Sequence, residues 1–411
     1  MNVPPSSAQI LLREADRCVL CGMCLPHCPT YQRTGNEAES PRGRIALAQA
    51  LARGQLPVDD SLSAHLDHCL GCRACEAMCP SEVRYGLILG HARRLLTEQR
   101  ALPLAGRAAM GLLSRPAFLR TAVRLGASPL ATLATPFSPT ATRLTALAKA
   151  RPQHPLGPRE SAGRPRRGRV GLFLGCTGEA VDSEALAATE YVLAALGFDV
   201  ERPSAQVCCG AIHHTQGNRA GFERLAYNNL AAFDLQRLDA VVSVASGCTA
   251  MLREFGQWLE APQAAAFSAS VSEITGFLAG LDWADAPVVA PLPATAAVHV
   301  PCTQVNVLCQ PDTTGVVLAH IPALERVALP DNHTCCGAAG LHMLQEPATA
   351  EALREAKLDA LVASGARYLV TTNIGCALHL AAGARERGLA VEVIHPVTLL
   401  ARQLALAAKP L

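Results

Sequence analysis

Cysteine dominates the reactive side chains of this 411-residue chain, which carries seventeen of them. Eight fall into two runs of one pattern. CVLCGMCLPHCPT holds Cys18, Cys21, Cys24 and Cys28 followed by Pro29, and CLGCRACEAMCPS holds Cys69, Cys72, Cys75 and Cys79 followed by Pro80. Both read Cys-x2-Cys-x2-Cys-x3-Cys-Pro. Three thiolates at that spacing wrap one corner of an iron–sulfur cube, and the fourth points toward a neighbouring cube. The spacing therefore assigns Cys18, Cys21, Cys24 and Cys79 to one [4Fe–4S] cluster, and Cys69, Cys72, Cys75 and Cys28 to a second. Zinc prefers paired Cys-x2-Cys hooks, and a third cysteine at the same interval does not suit it. Gly22 and Gly71 stand beside ligands, where a backbone without Cβ can turn sharply.

A second set of cysteines recurs in the remaining half. RVGLFLGC ends at Cys176 and TAAVHVPC at Cys302; VCCGAIHH holds Cys208 and Cys209, and TCCGAAGLH holds Cys335 and Cys336; ASGCTAM holds Cys248 and NIGCALH holds Cys376. Each repeat thus offers four thiols in one order around a Cys-Cys-Gly (CCG) centre. Adjacent cysteines cannot chelate as a Cys-x2-Cys hook does, so these sets point to an additional iron–sulfur cluster or a redox-active thiol pocket. His213, His214 and His342 follow the cysteine pairs closely enough to line the same pockets. Cys309 has no counterpart in the first repeat and reads as a plain buried thiol.

The elements that must position these residues differ between the two halves. SPRGRIALAQALARG and SLSAHLDHC, between the first two motifs, carry apolar residues at helical spacing, with Ser40 as N-cap and Pro41 as first helical residue. Arg42 and Arg44 at that helix start are placed to raise cluster potentials or to dock a partner. Residues 101–150 read as short amphipathic helices broken at Pro116 and Pro129, packing on a neighbouring domain or lying on a membrane surface. Residues 151–169, dense in Pro, Gly and Arg, read as a linker. Beyond them apolar strands alternate with helical segments, as in parallel α/β folds, whose ligands gather at the carboxyl ends of strands. Cys176, Cys248, Cys302 and Cys376 fall at those ends. The expected architecture is α+β and multidomain: an α-helical two-cluster ferredoxin domain over 1–100, a helical connector over 101–150, the linker, and two α/β CCG repeats over 170–290 and 291–411.

Net charge is +2 and half the residues are hydrophobic, so nothing in the composition asks for nucleic acid as a partner. The first residues lack the pattern of a secretory leader, and no stretch is long and apolar enough to span a membrane. A reducing, cytoplasmic setting is expected, where clustered thiols bind metal and do not pair as disulfides.

Taken together, the doubled ferredoxin motif, SPRGRIAL, PSEVRYG, CCGA, SGCTAM, DNHTCCGAAG and TNIGCALHL resemble the iron–sulfur subunits of bacterial glycolate oxidase along nearly the whole chain. The resemblance implies flavin-binding (FAD) partner subunits that oxidise glycolate, with this chain passing electrons toward a quinone or another membrane acceptor, peripheral on the cytoplasmic face of the inner membrane. The chain itself has no Gly-x-Gly-x-x-Gly opening a helix after a strand, so the flavin belongs to the partners. Iron–sulfur subunits of anaerobic glycerol-3-phosphate or D-lactate dehydrogenases share the plan. The wider CCG family, including heterodisulfide reductase subunits, often ends its last motif as Cys-x2-Cys. Here Met251 and His379 stand at that place. Imidazole can replace thiolate on iron and a thioether does so poorly, so His379 marks the second repeat as the better candidate for a further cluster.

Overall fold

Ser6 opens the first helix, Ser7–Ala15, with a reciprocal capping box: its Oγ accepts from Gln9 N–H, and Gln9 Oε1 accepts from Ser6 N–H. The computed structural model describes residues 6–100, 102, 104–127, 145–148, 157, 166–332 and 334–408. Ser40 caps the helix Pro41–Ala52 by accepting from Gly43 N–H at 2.9 Å, with Pro41 in the first position. Gly43 is needed there because a Cβ would stand 1.9 Å from the Glu37 carbonyl oxygen. These helices pack with Asp60–Asp67 and Tyr85–Gln99 around Leu11, Ile45, Leu66, Ile88 and Ala92. Cysteines 18, 69, 75 and 79 rest against this core. The N-terminal domain is helical, and its apolar stripes hold the two cysteine loops together.

The helices Leu104–Leu113 and Pro116–Ala127 follow, broken at Pro116. They pack on the next domain: Met110 is buried, Ser114 Oγ lies 2.9 Å from His213 Nε2, and Arg120 pairs with Glu179. Pro129 and most of the segment read as a linker lie outside the described residues.

The rest forms two four-stranded parallel sheets. The first orders its strands β2-β1-β3-β4, with β1 Gly168–Phe173, β2 Phe198–Glu201, β3 Ala240–Ser243 and β4 Val271–Glu273. The second repeats this as β6-β5-β7-β8, with β5 Ala294–Val298, β6 Leu324–Ala328, β7 Tyr368–Val370 and β8 Glu392–Ile394. β1 starts at Gly168, two residues inside the segment read as linker. In each sheet the chain leaves the first strand to one side and returns to the other, which makes a crevice at the carboxyl ends of the two central strands. Side chains from both sheets, Leu172, Val242, Ala296 and Val370 among them, share one core. The two repeats are therefore packed as one body. Among the described residues no helix is long and apolar enough to cross a membrane.

Each CCG glycine answers a steric demand. Gly337 has φ +90°, and a Cβ there would stand 2.5 Å from the Ala350 carbonyl oxygen. Gly365 also has a positive φ, +61°, but nothing lies within 4 Å of its would-be Cβ. Gly337→Ala is expected to cost about 2–4 kcal/mol, combining left-handed strain with overpacking, against about 1 kcal/mol for Gly365→Ala. Thermal unfolding of the two anaerobically purified variants checks this, and equal shifts would refute it.

Candidate metal centres

Two adjoining cavities lie between the cysteine loops of the N-terminal domain. One, about 440 Å³ including its open mouth, is lined by Cys18, Cys21 and Cys24 from the first motif and by Cys75 and Cys79 from the second. The other, about 310 Å³, is lined by Cys69, Cys72 and Cys75 from the second motif and by Cys28 from the first. Pro41, Cys75 and Tyr85 line both. Each cavity therefore gathers three sulfurs of one motif and the fourth of the other, and Cys75 lies on the wall between them. This donor set, all sulfur and threefold-plus-one, fits an iron–sulfur cube in each.

The surroundings supply what anionic sulfur needs. Gly71 N–H donates to Cys69 Sγ at 3.5 Å, and so does the Tyr85 hydroxyl. Gly22, at φ +84°, lets the first loop close over Arg42, whose guanidinium would stand 3.0 Å from a Cβ there. Arg42 is held by Glu37 and by the Leu20 carbonyl and lines the first cavity. Arg44 lines the second; fully buried, it is ion-paired to Glu39 and donates to Thr30 Oγ1 at 2.9 Å. Nearby thiolate charge, from Cys69 first, holds the Arg44 guanidinium charged against the pull of burial. So each cavity carries one arginine. Glu39 is in turn bonded by His65 and His68, and despite its burial those hydrogen bonds keep its carboxyl below the usual range. Burial raises the Cys72 and Cys75 thiols, and on Cys72 the next influence is the charge of Cys302. The second cavity thus stands against the second CCG repeat, where Asn306 Nδ2 donates to the Cys72 carbonyl at 2.8 Å. On the other side Arg73 pairs with Glu254 of the first repeat.

Within each repeat the cysteines converge at the carboxyl ends of the central strands. A half-buried amide side chain does the positioning. Gln206 accepts from Leu174 N–H at 2.7 Å and donates to the Leu172 carbonyl at 3.0 Å, tying the loop before Cys208 to the end of β1. Asn332 does the same at the end of β5, accepting from Val300 N–H and donating to the Val298 carbonyl. In the first repeat Cys176, Cys208 and Cys209 stand near enough to shift one another's thiol pKa values, and the charge of Cys248 acts on Cys176 and Cys209. The neighbouring Cys176 and Cys209 thiols, with Gly210 N–H donating to Cys208 Sγ at 3.5 Å, lower Cys208 well below the usual thiol range, and Cys208 raises those two neighbours. In the second, Cys302, Cys335, Cys336 and Cys376 shift one another in sequence order, and Gly337 N–H donates to Cys335 Sγ at 3.4 Å.

The histidines divide. His379 Nε2 lies 3.0 Å from the Ala350 carbonyl, and its ring faces a cavity lined by Met343, Leu344 and Arg354. The imidazole that does stand with the thiols is His299: a ring nitrogen of His299, Cys336 Sγ and Cys376 Sγ all lie within 4.8 Å of one another, and all three residues are buried. The sequence signal was available as His-x2-Cys in HVPC, a metal-hook spacing read only for its cysteine. His213 is buried against Ser114 and Asn218, and His214 packs on Trp258. Met251 belongs to the apolar core around the first pocket. Cys309, expected to be buried, is exposed, because a φ of +54° turns the chain outward just past the short helix Cys302–Asn306.

Comparison with known proteins matches this geometry to families. Residues 14–83 match a 4Fe–4S dicluster domain, and residues 170–253 and 296–381 each match a cysteine-rich domain, CCG. A probable glycolate oxidase iron–sulfur subunit of Bacillus subtilis (strain 168) is 31% identical over 94% of this chain and 93% of its own. The glycolate oxidase iron–sulfur subunit of Escherichia coli (strain K12) is 34% identical over 93% of each. Lactate utilization protein A of an Exiguobacterium species is 26% identical over 55% of this chain and 94% of its own. The likeness to the first two spans the dicluster domain and both cysteine-rich repeats, and on that evidence the chain belongs to the family of glycolate oxidase iron–sulfur subunits.

Proposed function

We propose that the chain is the electron-transfer subunit of a complex that oxidises glycolate to glyoxylate on flavin-bearing partner subunits and delivers the electrons to a quinone at the membrane. The observation that carries this reading is the full-length likeness to subunits of that name, joined to two adjoining four-cysteine cavities. Bound there through Cys18, Cys21, Cys24 and Cys79 and through Cys28, Cys69, Cys72 and Cys75, two [4Fe–4S] clusters would supply one-electron carriage. The thiol pockets of the CCG repeats are proposed as a further metal or redox centre. The domain division set out above, from 1–100 to 291–411, is the working frame for this assignment.

The chain's own residues give the arrangement a direction. Cys21 is exposed and collared by Val19, Leu20 and Met23, which are 69%, 58% and 56% exposed. An apolar collar at an open cavity suits the docking of an electron-donating partner, since it excludes water from the contact. At the other end Cys72 is half-buried beside Cys302 and Asn306. Exposed Leu104, Phe118 and Leu125 on the two connector helices offer a peripheral contact with the cytoplasmic face of the membrane. Arg42 and Arg44 each place positive charge beside sulfur whose cluster grows more negative on reduction, so both raise the reduction potential.

Cys21→Ser or Cys72→Ser in the assembled complex should abolish glycolate-dependent reduction of dye or quinone while the partner flavin is still reduced by glycolate. Full turnover in either variant would sink the assignment. Comparing glycolate, D-lactate and glycerol 3-phosphate as substrates of the co-purified complex decides among the partners the fold would accept.

Arg42→Gln is expected to lower the potential of one of two cluster signals in an EPR redox titration and leave the other in place. The shift is small because Arg42 is partly in solvent. Two unmoved signals would remove Arg42 from the tuning role.

A further inference from the structure

We propose that the second CCG repeat holds a single divalent transition-metal ion of the zinc class, ligated by His299 Nε2 and by the sulfurs of Cys336, Cys376 and Cys302. This deepens the reading of that pocket as a metal or redox centre and does not depend on glycolate being the substrate.

The compactness of the donor set is the first argument. Sulfurs on the corners of an iron–sulfur cube are spread around a four-iron body, whereas ligands of one ion, with metal–sulfur bonds of about 2.3 Å and metal–nitrogen bonds of about 2.0 Å, sit within about 4 Å of each other. The eight N-terminal cysteines surround open cavities. Among the described residues, His299, Cys336 and Cys376 form the one group whose donor atoms lie within 4.8 Å. Cys302, three residues after His299, stands outside that 4.8 Å group but near enough for its charge to act on Cys376, and would have to close in as the third thiolate to complete a tetrahedron.

The second argument is orientation. His299 Nδ1 lies 2.9 Å from Thr371 Oγ1, and its backbone N–H is bonded to the Val370 carbonyl. A metal-ligating histidine has its other ring nitrogen held in this way, which fixes the tautomer and the direction of the free nitrogen.

Charge is the third. One divalent ion with three thiolates carries one net negative charge, which is costly in a buried site unless compensated. Lys357, itself buried and anchored on the Asp331 carbonyl, feels the charges of Cys336, Cys335 and Cys376. Burial pushes its pKa down and those sulfur charges push it back up, so a charged Lys357 would offset the charge of the ion and its thiolates.

The first repeat supplies the contrast. Three residues before Cys176 stands Phe173, fully buried, where the second repeat has His299 before Cys302. The two pockets share their thiols and differ in the nitrogen donor.

The test is an elemental and acid-labile sulfide analysis of the anaerobically purified full chain, followed by cobalt(II) loading of chain stripped of that ion. The expected result is about eight irons with about eight sulfides and about one further metal ion without matching sulfide. Cobalt should then give sulfur-to-metal charge transfer and the strong visible bands of a tetrahedral site. His299→Phe should lose the extra ion and the tetrahedral bands and keep both cluster EPR signals, while Cys176→Ser keeps the ion. Iron and sulfide rising together to about twelve would mean a cluster in the pocket and would overturn the proposal. So would the absence of any metal beyond the eight irons, or unchanged cobalt bands in His299→Phe. Should that variant fail to fold, the metal-to-sulfide ratio and cobalt spectrum of the unsubstituted chain decide alone.

Discussion

The crossing of the fourth cysteine governs the N-terminal half of this molecule. Because Cys79 lines the cavity of the first motif and Cys28 that of the second, neither loop can form its sulfur set alone. The two must be held face to face by something outside them. That is the work of the helices Pro41–Ala52 and Tyr85–Gln99, whose buried Ile45, Ile88 and Ala92 pack between the loops. Tyr85, at the start of the second of these helices, lines both cavities. The hydrophobic core here is small, and its geometry is set by the need to align two sulfur sets more than by any need to bury area.

The same crossing fixes the electrostatics. Eight thiolates in adjoining cavities repel one another in a medium that screens little. The helix Pro41–Ala52 answers with Arg42 into one cavity and Arg44 into the other, two residues apart on its first turn. Arg44 is buried at considerable desolvation cost, which its bonds to Glu39, Thr30 and the His65 carbonyl offset. Arg73 and Lys357 serve further along, the first tying the ferredoxin domain to Glu254 and the second lying among the thiols of the second repeat. Positive charge thus accompanies sulfur from the exposed Cys21 to the buried Cys376.

Much of this was legible because sulfur spacing and strand periodicity are local. Cys-x2-Cys-x2-Cys-x3-Cys-Pro names its own chemistry, and VGLFLGC and AAVHVPC announce buried parallel strands that end at a cysteine. Ser40 and Pro41 mark a helix start with side chains in contact with their own backbone. What failed to show was long-range. His379 looked suited because it follows Cys376 by three residues on a helix, yet its Nε2 is engaged by the Ala350 carbonyl from another helix. His299 reaches the thiols only because β5 and β7 are neighbours in the sheet. Cys309 reads as a core residue by type, yet it is exposed, at a backbone φ of +54° that type does not reveal.

Duplication gave the C-terminal half two pockets of one design, and the ferredoxin domain breaks their equivalence by where it docks. It touches the first repeat through Arg73 and Glu254, through Thr97 and the Gly217 carbonyl, and through Gly90 packed against Trp258. None of these contacts brings a sulfur of the ferredoxin domain to a sulfur of that repeat. On the second repeat the contact is Cys72 itself, beside Cys302 and bonded through its carbonyl to Asn306. Among the described residues the sulfur-to-sulfur approach between the domains is made by Cys72 and Cys302 of the second repeat, and there histidine stands where the first repeat has phenylalanine. A residue that changes the chemistry of a pocket matters most where that pocket neighbours the ferredoxin cysteines, and His299, at the position of Phe173 in the first repeat, stands in the pocket beside Cys72.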